Sequence, residues 1–355
     1  MAPNIVYEAI LNGFRAVLDY ISAHVLTCLI PAFFIAGAIS AFVKKDAILK
    51  YFGPEEKKHI AYPLASISGT VLAVCSCTIL PIFAGIYKKG SGIGPAITFL
   101  FAGPAINLLA IIYTAQILGY EIGIARAVAS ILMSILIGIV MSVLFREHDR
   151  QILAKNRRKI MAEEKDKPLK VQIAFFSLLL AILIVGGAGI PIYEKLLIML
   201  VFVALLIFIL KKNFTKRELR NWGTETWDLT KKIFPILVAG TFVLGLIAYF
   251  LPPSTFAPWL GGNSIISCFT ASVVGALLYM PTLLEVPIVG TTLGYTHGVI
   301  GGGPALSLLL AGPSLSLPSM IVLQRIIGTK KAMAYIFLVI IMSTVAGYLY
   351  GLIGV

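Results

Sequence analysis

Apolar runs of about 20 residues recur from one end of this chain to the other, and each can cross roughly 30 Å of hydrocarbon as a helix. A first span is predicted at 21–43, with Pro31 inside it. Two long apolar stretches follow, 60–86 and 92–118, separated by Tyr87-Lys88-Lys89-Gly90-Ser91, and then a span at 122–145. Segment 146–170 carries charges of both signs with little apolar content, which suits a solvated linker. Residues 171–187 and 190–210 form an apolar hairpin around the glycine-rich turn 186–191. Beyond the polar loop 211–232 come a span at 233–251, a charge-free loop 252–263, stretches 264–290 and 301–322, and a final span at 332–354. The pattern predicts an all-α polytopic membrane protein with about ten apolar segments.

The second half of the pattern repeats the first. Residues 92–108 read GIGPAITFLFAGPAINL and residues 301–317 read GGGPALSLLLAGPSLSL, with nine of seventeen positions identical. Both Gly-Pro pairs coincide, Gly94-Pro95 with Gly303-Pro304 and Gly103-Pro104 with Gly312-Pro313. Upstream, Leu80-Pro81-Ile82 matches Val286-Pro287-Ile288, and Ile30-Pro31 matches Phe234-Pro235. The organisation expected is a first membrane repeat over 1–145, a basic cytoplasmic linker over 146–170, a connecting membrane hairpin over 171–210 and a second repeat over 211–355.

Charge then orients the halves. Of 29 lysines and arginines, 24 lie in the loops 44–59, 146–170, 211–232 and 323–331, so the net charge of +13 reads as topology and not as a nucleic-acid surface. With basic loops inside and the quiet loops 119–122 and 252–263 outside, 60–118 and 264–322 each cross an odd number of times. The matching loops 44–59 and 252–263 fall on opposite sides. The repeats are therefore expected to be inverted, with one re-entrant hairpin in each half; a parallel duplication is the alternative, and Lys88 and Lys89 fit the inverted scheme poorly. A mean hydropathy of +0.95 excludes a soluble protein, and the four cysteines are too few for a disulfide framework. No removable signal peptide is expected, since a basic n-region and a small-residue cleavage site are missing from the N-terminus.

Candidate chemistry sits where the apolar stretches are interrupted. Proline removes a backbone donor and glycine loosens a turn, so Pro81, Gly103, Pro104, Pro287, Gly312 and Pro313 are expected to mark breaks in the helices. Backbone groups released at membrane depth must be satisfied by protein or by a water-filled cavity. Paired interruptions at matching places in two halves are the sequence mark of a transporter's binding site. Cys75, Ser76 and Cys77 precede the first of them. On a continuous helix residues two apart point apart, whereas across an unwound segment two thiols can converge on a soft ion; the alternative is a pair of small buried residues. Glu285 lies in an apolar stretch two residues before Pro287, opposite Ile79 in the repeat, and an acid there is a functional candidate. Asn107 and Ser316, three residues beyond the Gly-Pro pairs, are expected to cap the restarting half-helices. Thr282 completes the candidate binding set. A catalytic motif, metal cluster or nucleotide fingerprint is not among the patterns found, so no enzyme activity, metal or cofactor is expected.

The Cys75-Ser76-Cys77 to Pro81 segment, the run Phe101-Ala102-Gly103-Pro104-Ala105-Ile106-Asn107, its echo Leu310-Ala311-Gly312-Pro313 and the Glu285-Val286-Pro287 element resemble the predicted-permease family that includes ArsP and YraQ. The resemblance covers nearly the whole chain and implies a permease of the inner membrane; some members export trivalent organoarsenicals, which are thiophilic. The expected function is secondary-active efflux of a soft small solute across the bilayer, with Cys75 and Cys77 as ligands and protons coupled through Glu285. A carrier or channel for a sulfur species or small anion, and a membrane thiol–disulfide relay, are the alternatives. Neither the oligomeric state nor the direction of transport is legible at this level.

Overall fold

The computed structural model describes residues 2–22, 25, 29–43, 51–53, 58–72, 75–147, 149–150, 168–187, 191–250, 253–278 and 285–353. Most of the expected linker 146–170, together with Cys28 and Thr282, lies outside them. Among the described residues the chain is helical throughout, with no strand. The first half contains α1 (Ala2–Tyr20), α2 (Ile30–Phe42), α3 (Lys58–Leu72), α4 (Ser76–Lys88), α5 (Ile93–Ala105), α6 (Leu108–Leu118) and α7 (Tyr120–Leu144). The hairpin α8 (Leu169–Gly187) and α9 (Ile192–Asn213) connects it to the second half. There follow α10 (Lys216–Phe250), a short 3-10 stretch, α11 (Ile265–Leu277), irregular turns over 285–297, α12 (Gly302–Ser314), α13 (Leu317–Ile327) and α14 (Thr329–Leu352).

Four of these helices are long and apolar enough to cross a membrane alone: α7, α9, α10 and α14. Two further candidates are bent pairs, α5 with α6 at 43° and α12 with α13 at 51°. On α9, Leu196, Leu197, Leu200 and Phe208 are exposed, so this helix turns a continuous apolar face outward. That is where a lipid-facing helix differs from a soluble one, because hydrocarbon replaces the protein core as its solvent.

The repeat is inverted, and the contacts at the helix ends establish it. At one end of the molecule, Lys331 near the start of α14 donates to the Tyr87 hydroxyl at 3.1 Å, at the end of α4. The amide of Ile93, which opens α5, donates to Asp149 beyond α7 at 3.1 Å. The Gly92 amide meets the Phe52 carbonyl at 2.8 Å, and Lys88 pairs with Glu225 near the start of α10. Phe52, Asp149, Glu225 and Lys331, the described residues of the four basic loops in these contacts, therefore gather at one end, with Lys88 among them. At the far end of α14, about 30 Å away by helical rise, a Cβ on Gly351 would lie 2.8 Å from Asn263. Asn263 accepts from the Gly303 amide, which opens α12, at 2.9 Å. Helix α5 thus enters from the basic end and its counterpart α12 from the opposite end.

Hairpin α3–α4 dips in from the basic end and returns to it at Lys88. Helix α11 enters from the far end, and the described turns 285–297 lie back toward it, where Gly290 packs on Ile117 and Leu118 at the end of α6. The misfit of Lys88 and Lys89 disappears, because the hairpin returns them to the basic side.

Equivalent glycines confirm the register. A Cβ on Gly138 would strike Thr98 Oγ1 and the Gly94 carbonyl; one on Gly347 would strike Ser307 Oγ and the Gly303 carbonyl. Gly69 lies against Phe99, Ala102 and Gly103 just as Gly275 lies against Leu308, Ala311 and Gly312. These close approaches draw α3, α5 and α7 together in one half and α11, α12 and α14 in the other, as small residues do between helices in lipid.

The interruptions fall later than the prolines suggest. Helix α4 runs through Pro81, α5 through Gly103 and Pro104, and α12 through Gly312 and Pro313. A proline removes only the bond to the carbonyl four residues back. Near a helix end that loss is small, so the chain stays helical until a cap for the next helix is available. Asn107 supplies one, its side chain accepting from Leu109 N at 3.0 Å and Ala110 N at 3.4 Å. Ser316 supplies the other through reciprocal bonds with Ser319. The observed breaks are thus at 106–107 and 315–316. Upstream, the break precedes α4 at extended Cys75, and Pro287 ends a single helical turn that runs into the irregular turns 288–297.

Asp149 gives the basic end a pH dependence. It is 5% exposed, and burial pushes its carboxyl up to about 6 from an ordinary 3.8, against the lowering effects of the Ile93 amide and Lys331. The folded protein therefore holds a proton that the unfolded chain has released between these values, and stability falls as pH rises through that window. Asn263 performs the same capping of α12 as a neutral amide. Asp149→Asn is expected to keep the cap and remove this decline. Thermal unfolding in detergent at pH 4.5 and pH 7 checks it: a decline in the variant as large as that of the wild type would contradict the assignment.

Candidate functional site

The tip of the first re-entrant hairpin carries the thiols. Cys75 is extended and half-buried, its carbonyl accepting from the Thr78 and Ile79 amides to start α4. Because the residue precedes the helix, its side chain does not follow the helical fan and can meet that of Cys77. The two sulfurs lie 3.5 Å apart, and Cys75 Sγ is 3.1 Å from Thr78 Oγ1. No disulfide joins them. Both sit at the N-terminus of a helix, where open amides and the helix dipole face the pair.

Glu285 opens the returning arm of the second hairpin and is fully buried. Its Oε1 pairs with Nη2 of Arg126, a fully buried arginine of α7 in the other half. Arg126 Nη1 also donates to Thr114 Oγ1 of α6 at 2.8 Å. A charge left alone at such depth is strongly unfavourable, and pairing across the halves lowers its energy. The pair is only half closed, however: among the described residues Arg126 Nε and Glu285 Oε2 have no hydrogen-bond partner. Gly312 approaches it most nearly from the next helix, a Cβ there lying 3.4 Å from Glu285 Oε2.

The repeat supplies an internal comparison for this triad. With the register set by Gly138 and Gly347, Arg126 corresponds to Tyr335 and Thr114 to Leu323; in the hairpins, where Gly69 with Gly275 and Pro81 with Pro287 set the register, Glu285 corresponds to Ile79. All three counterparts line one narrow crevice, together with Ser76, Leu80, Ser314 and Ser319. The pseudo-symmetric position is therefore an apolar crevice where the other side holds an ion pair. Tyr335 is fully buried, and among the described residues its hydroxyl has no hydrogen-bond partner.

The expected site residues divide between these two places. Cys75, Ser76 and Cys77 lie on the hairpin tip that faces α13, and Ser76 reaches the crevice. Ser316 and Asn107 are buried and bond the amides of the helices they cap. Glu285 lies instead against α6 and α7 of the first half, so the thiols and the acid occupy corresponding positions on two sides of the pseudo-symmetric centre. Ser76 and Glu285 each face the opposite repeat. Arg126, Thr114 and Tyr335 escape a sequence reading that takes each candidate from an interruption. The signal for Arg126 was there: it is a lone cation in a 25-residue apolar helix, outside the four basic loops.

The family model described as a predicted permease, ArsP_1, matches residues 10–352. The chain belongs to this permease family. The permease is 43% identical to UPF0718 protein MJ0584 of Methanocaldococcus jannaschii over 353 residues, covering 96% of this chain and 95% of that one. It is 23% identical to UPF0718 protein YraQ of Escherichia coli over 336 residues, 92% of this chain and 78% of YraQ. A shorter match, 25% over 121 residues, is to UPF0718 protein YcgR of Bacillus subtilis. No solved structure matches the permease. Membership makes it a multi-pass membrane protein of transport, in agreement with its apolar helices and inverted halves.

Proposed function

We propose that this permease is a secondary-active exporter, in a cytoplasmic membrane, of a soft thiophilic solute such as a trivalent organoarsenical. The observation that carries the reading is the convergence of Cys75 and Cys77 Sγ to 3.5 Å at an interrupted helix. Two soft donors that close can share one soft atom, which neither could hold reversibly as well alone. For a dihydroxy arsenical the exchange is balanced without a redox step. Two As–O bonds break and two As–S bonds form, and the two thiol protons leave with the hydroxyls as two waters.

The basic end is the cytoplasmic face in this reading, following the positive-inside rule. Solute taken up at the Cys75–Cys77 tip would pass to the opposite side as the hairpins exchange their packing on the two breaks. Glu285 couples the cycle to protons, its buried position making a change of charge there costly enough to alter the preferred packing. Glu285→Gln, which keeps the shape and removes the titration, is expected to leave downhill solute movement and abolish its dependence on an imposed pH gradient. A gradient response equal to wild type would remove Glu285 from the coupling role.

Binding at the thiols is tested by protection. In the purified permease, a small maleimide should label Cys75, and prior addition of phenylarsonous acid should suppress that labelling in proportion to its binding. Labelling of either single Ser variant should no longer be suppressed at the same concentration. Labelling unaffected by the arsenical in the wild type would contradict the ligand role. A persulfide appearing on one cysteine after exposure to a sulfur donor would favour the sulfur-carrier alternative.

A further inference from the structure

We infer that the Arg126–Glu285 pair is an exchange site for a small carboxylate-like anion, bound to Arg126 when Glu285 takes up a proton. The inference rests on the reading of Glu285 as a proton acceptor and uses neither cysteine.

The fold does not need these charges. The same scaffold, repeated with inverted orientation, holds Ile79, Leu323 and Tyr335 where the first site holds Glu285, Thr114 and Arg126. An apolar set therefore suffices to pack this junction, and an ion pair replaced by apolar residues of similar volume is commonly neutral or stabilising. Retaining a cation and an acid at full burial marks a site that handles charge.

The geometry of the pair names the ligand. An arginine holds a carboxylate best through two parallel N–H groups. Glu285 engages Nη2 with one oxygen only, and among the described residues Arg126 Nε and Glu285 Oε2 have no other partner. A carboxylate released from the chain could take Nη2 and Nε together, so the edge that Glu285 half occupies is complete for a free anion of the same kind. Nη1 stays on Thr114 and keeps the guanidinium in place.

Charge balance then links anion to proton. Among the described residues Arg126 is the charged group facing Glu285; Thr114 and the Gly312 backbone are its uncharged neighbours. With Glu285 ionised the pair is neutral, and an added anion would leave one negative charge uncompensated. With Glu285 protonated and no anion, Arg126 is uncompensated instead. Each single event is costly in an apolar interior, and the two together restore neutrality. A proton and a monoanion therefore bind or leave together, with no net charge change at the site.

Formate, the smallest carboxylate, is the probe, used with the full-length permease purified in detergent. Titration calorimetry in two buffers of different ionisation enthalpy reads both affinity and protons taken up. Wild type should take up one proton per formate, with affinity rising about tenfold per pH unit of acidification while Glu285 is charged. Glu285→Gln should bind formate at least about tenfold tighter than wild type at pH 8.5, without proton uptake. The double variant Arg126→Tyr with Glu285→Ile, which copies the apolar side, should remain folded and lose binding. Proton-independent binding in the wild type, no gain in the Gln variant, or unchanged binding in the double variant would each overturn the inference. A failure of arsenical protection at the thiols would leave all three results standing.

Discussion

Membrane vesicles carrying Cys75→Ser or Cys77→Ser are expected to lose essentially all transport of phenylarsonous acid while the protein inserts and folds normally. Serine nearly matches cysteine in size, and the buried Cys77 side chain contacts Cys75 Sγ at 3.5 Å, a contact that a hydroxyl can also make. Thr78 Oγ1, 3.1 Å from Cys75 Sγ, would accept a hydrogen bond from the hydroxyl that Cys75→Ser introduces as readily as from the thiol. What serine cannot do is hold a soft atom, since its hydroxyl is a hard donor that remains protonated. With the two sulfurs acting as a pair, as proposed, either change alone should cost nearly as much as both. The check is uptake of the arsenical into everted vesicles, with amounts of folded protein compared by detergent-resistant size-exclusion profiles. Wild-type rates from both single variants would eliminate the thiols as ligands.

The second large effect is on stability and depends on removing one charge or two. Arg126→Ala or Glu285→Ala leaves a buried charge without its partner, which should cost about 3–5 kcal/mol. Replacing both at once, Arg126→Tyr with Glu285→Ile, should recover most of that loss because the opposite half already packs this way. Thermal unfolding of the three variants in one detergent measures it. A double variant less stable than either single one would mean that the ion pair is structural and that the comparison between the halves misleads.

Much of this arrangement was legible in residues. The Gly-Pro repeat located α5 with α6 and α12 with α13, because a seventeen-residue match at fixed spacing has no other ready cause. Charge in the loops oriented the halves, since lysine and arginine carry topology directly. The caps at Asn107 and Ser316 followed from side-chain chemistry one turn beyond each interruption. The break positions did not follow, because a proline weakens one hydrogen bond and the next cap decides where the chain turns. Arg126 was missed for a different reason: its partner is 159 residues away in sequence, and the pairing exists only once the halves are inverted against each other. Tyr335 had no signal at all until Arg126 was recognised, for a tyrosine in an apolar span is ordinary.

The two sides of the centre also explain why a duplicated scaffold would diverge. Identical hairpin tips would offer two identical sites and no distinction between solute and coupling ion. Here one tip carries two soft donors and the other a carboxylate held by an arginine of the opposite repeat. The crevice at Ile79, Leu323 and Tyr335 leaves a narrow space, while Arg126 and Glu285 are fully buried. An exchange of packing between the hairpins would close the one and open the other, which is the alternation that inverted repeats permit.

The most direct test is transport by the purified permease in proteoliposomes loaded with phenylarsonous acid, followed with and without an imposed proton gradient. The account predicts efflux above that of protein-free liposomes, accelerated by the gradient in wild type but not in Glu285→Gln, and absent in Cys75→Ser. Efflux that is equal in wild type and Cys75→Ser, or no greater than from empty liposomes, would contradict it.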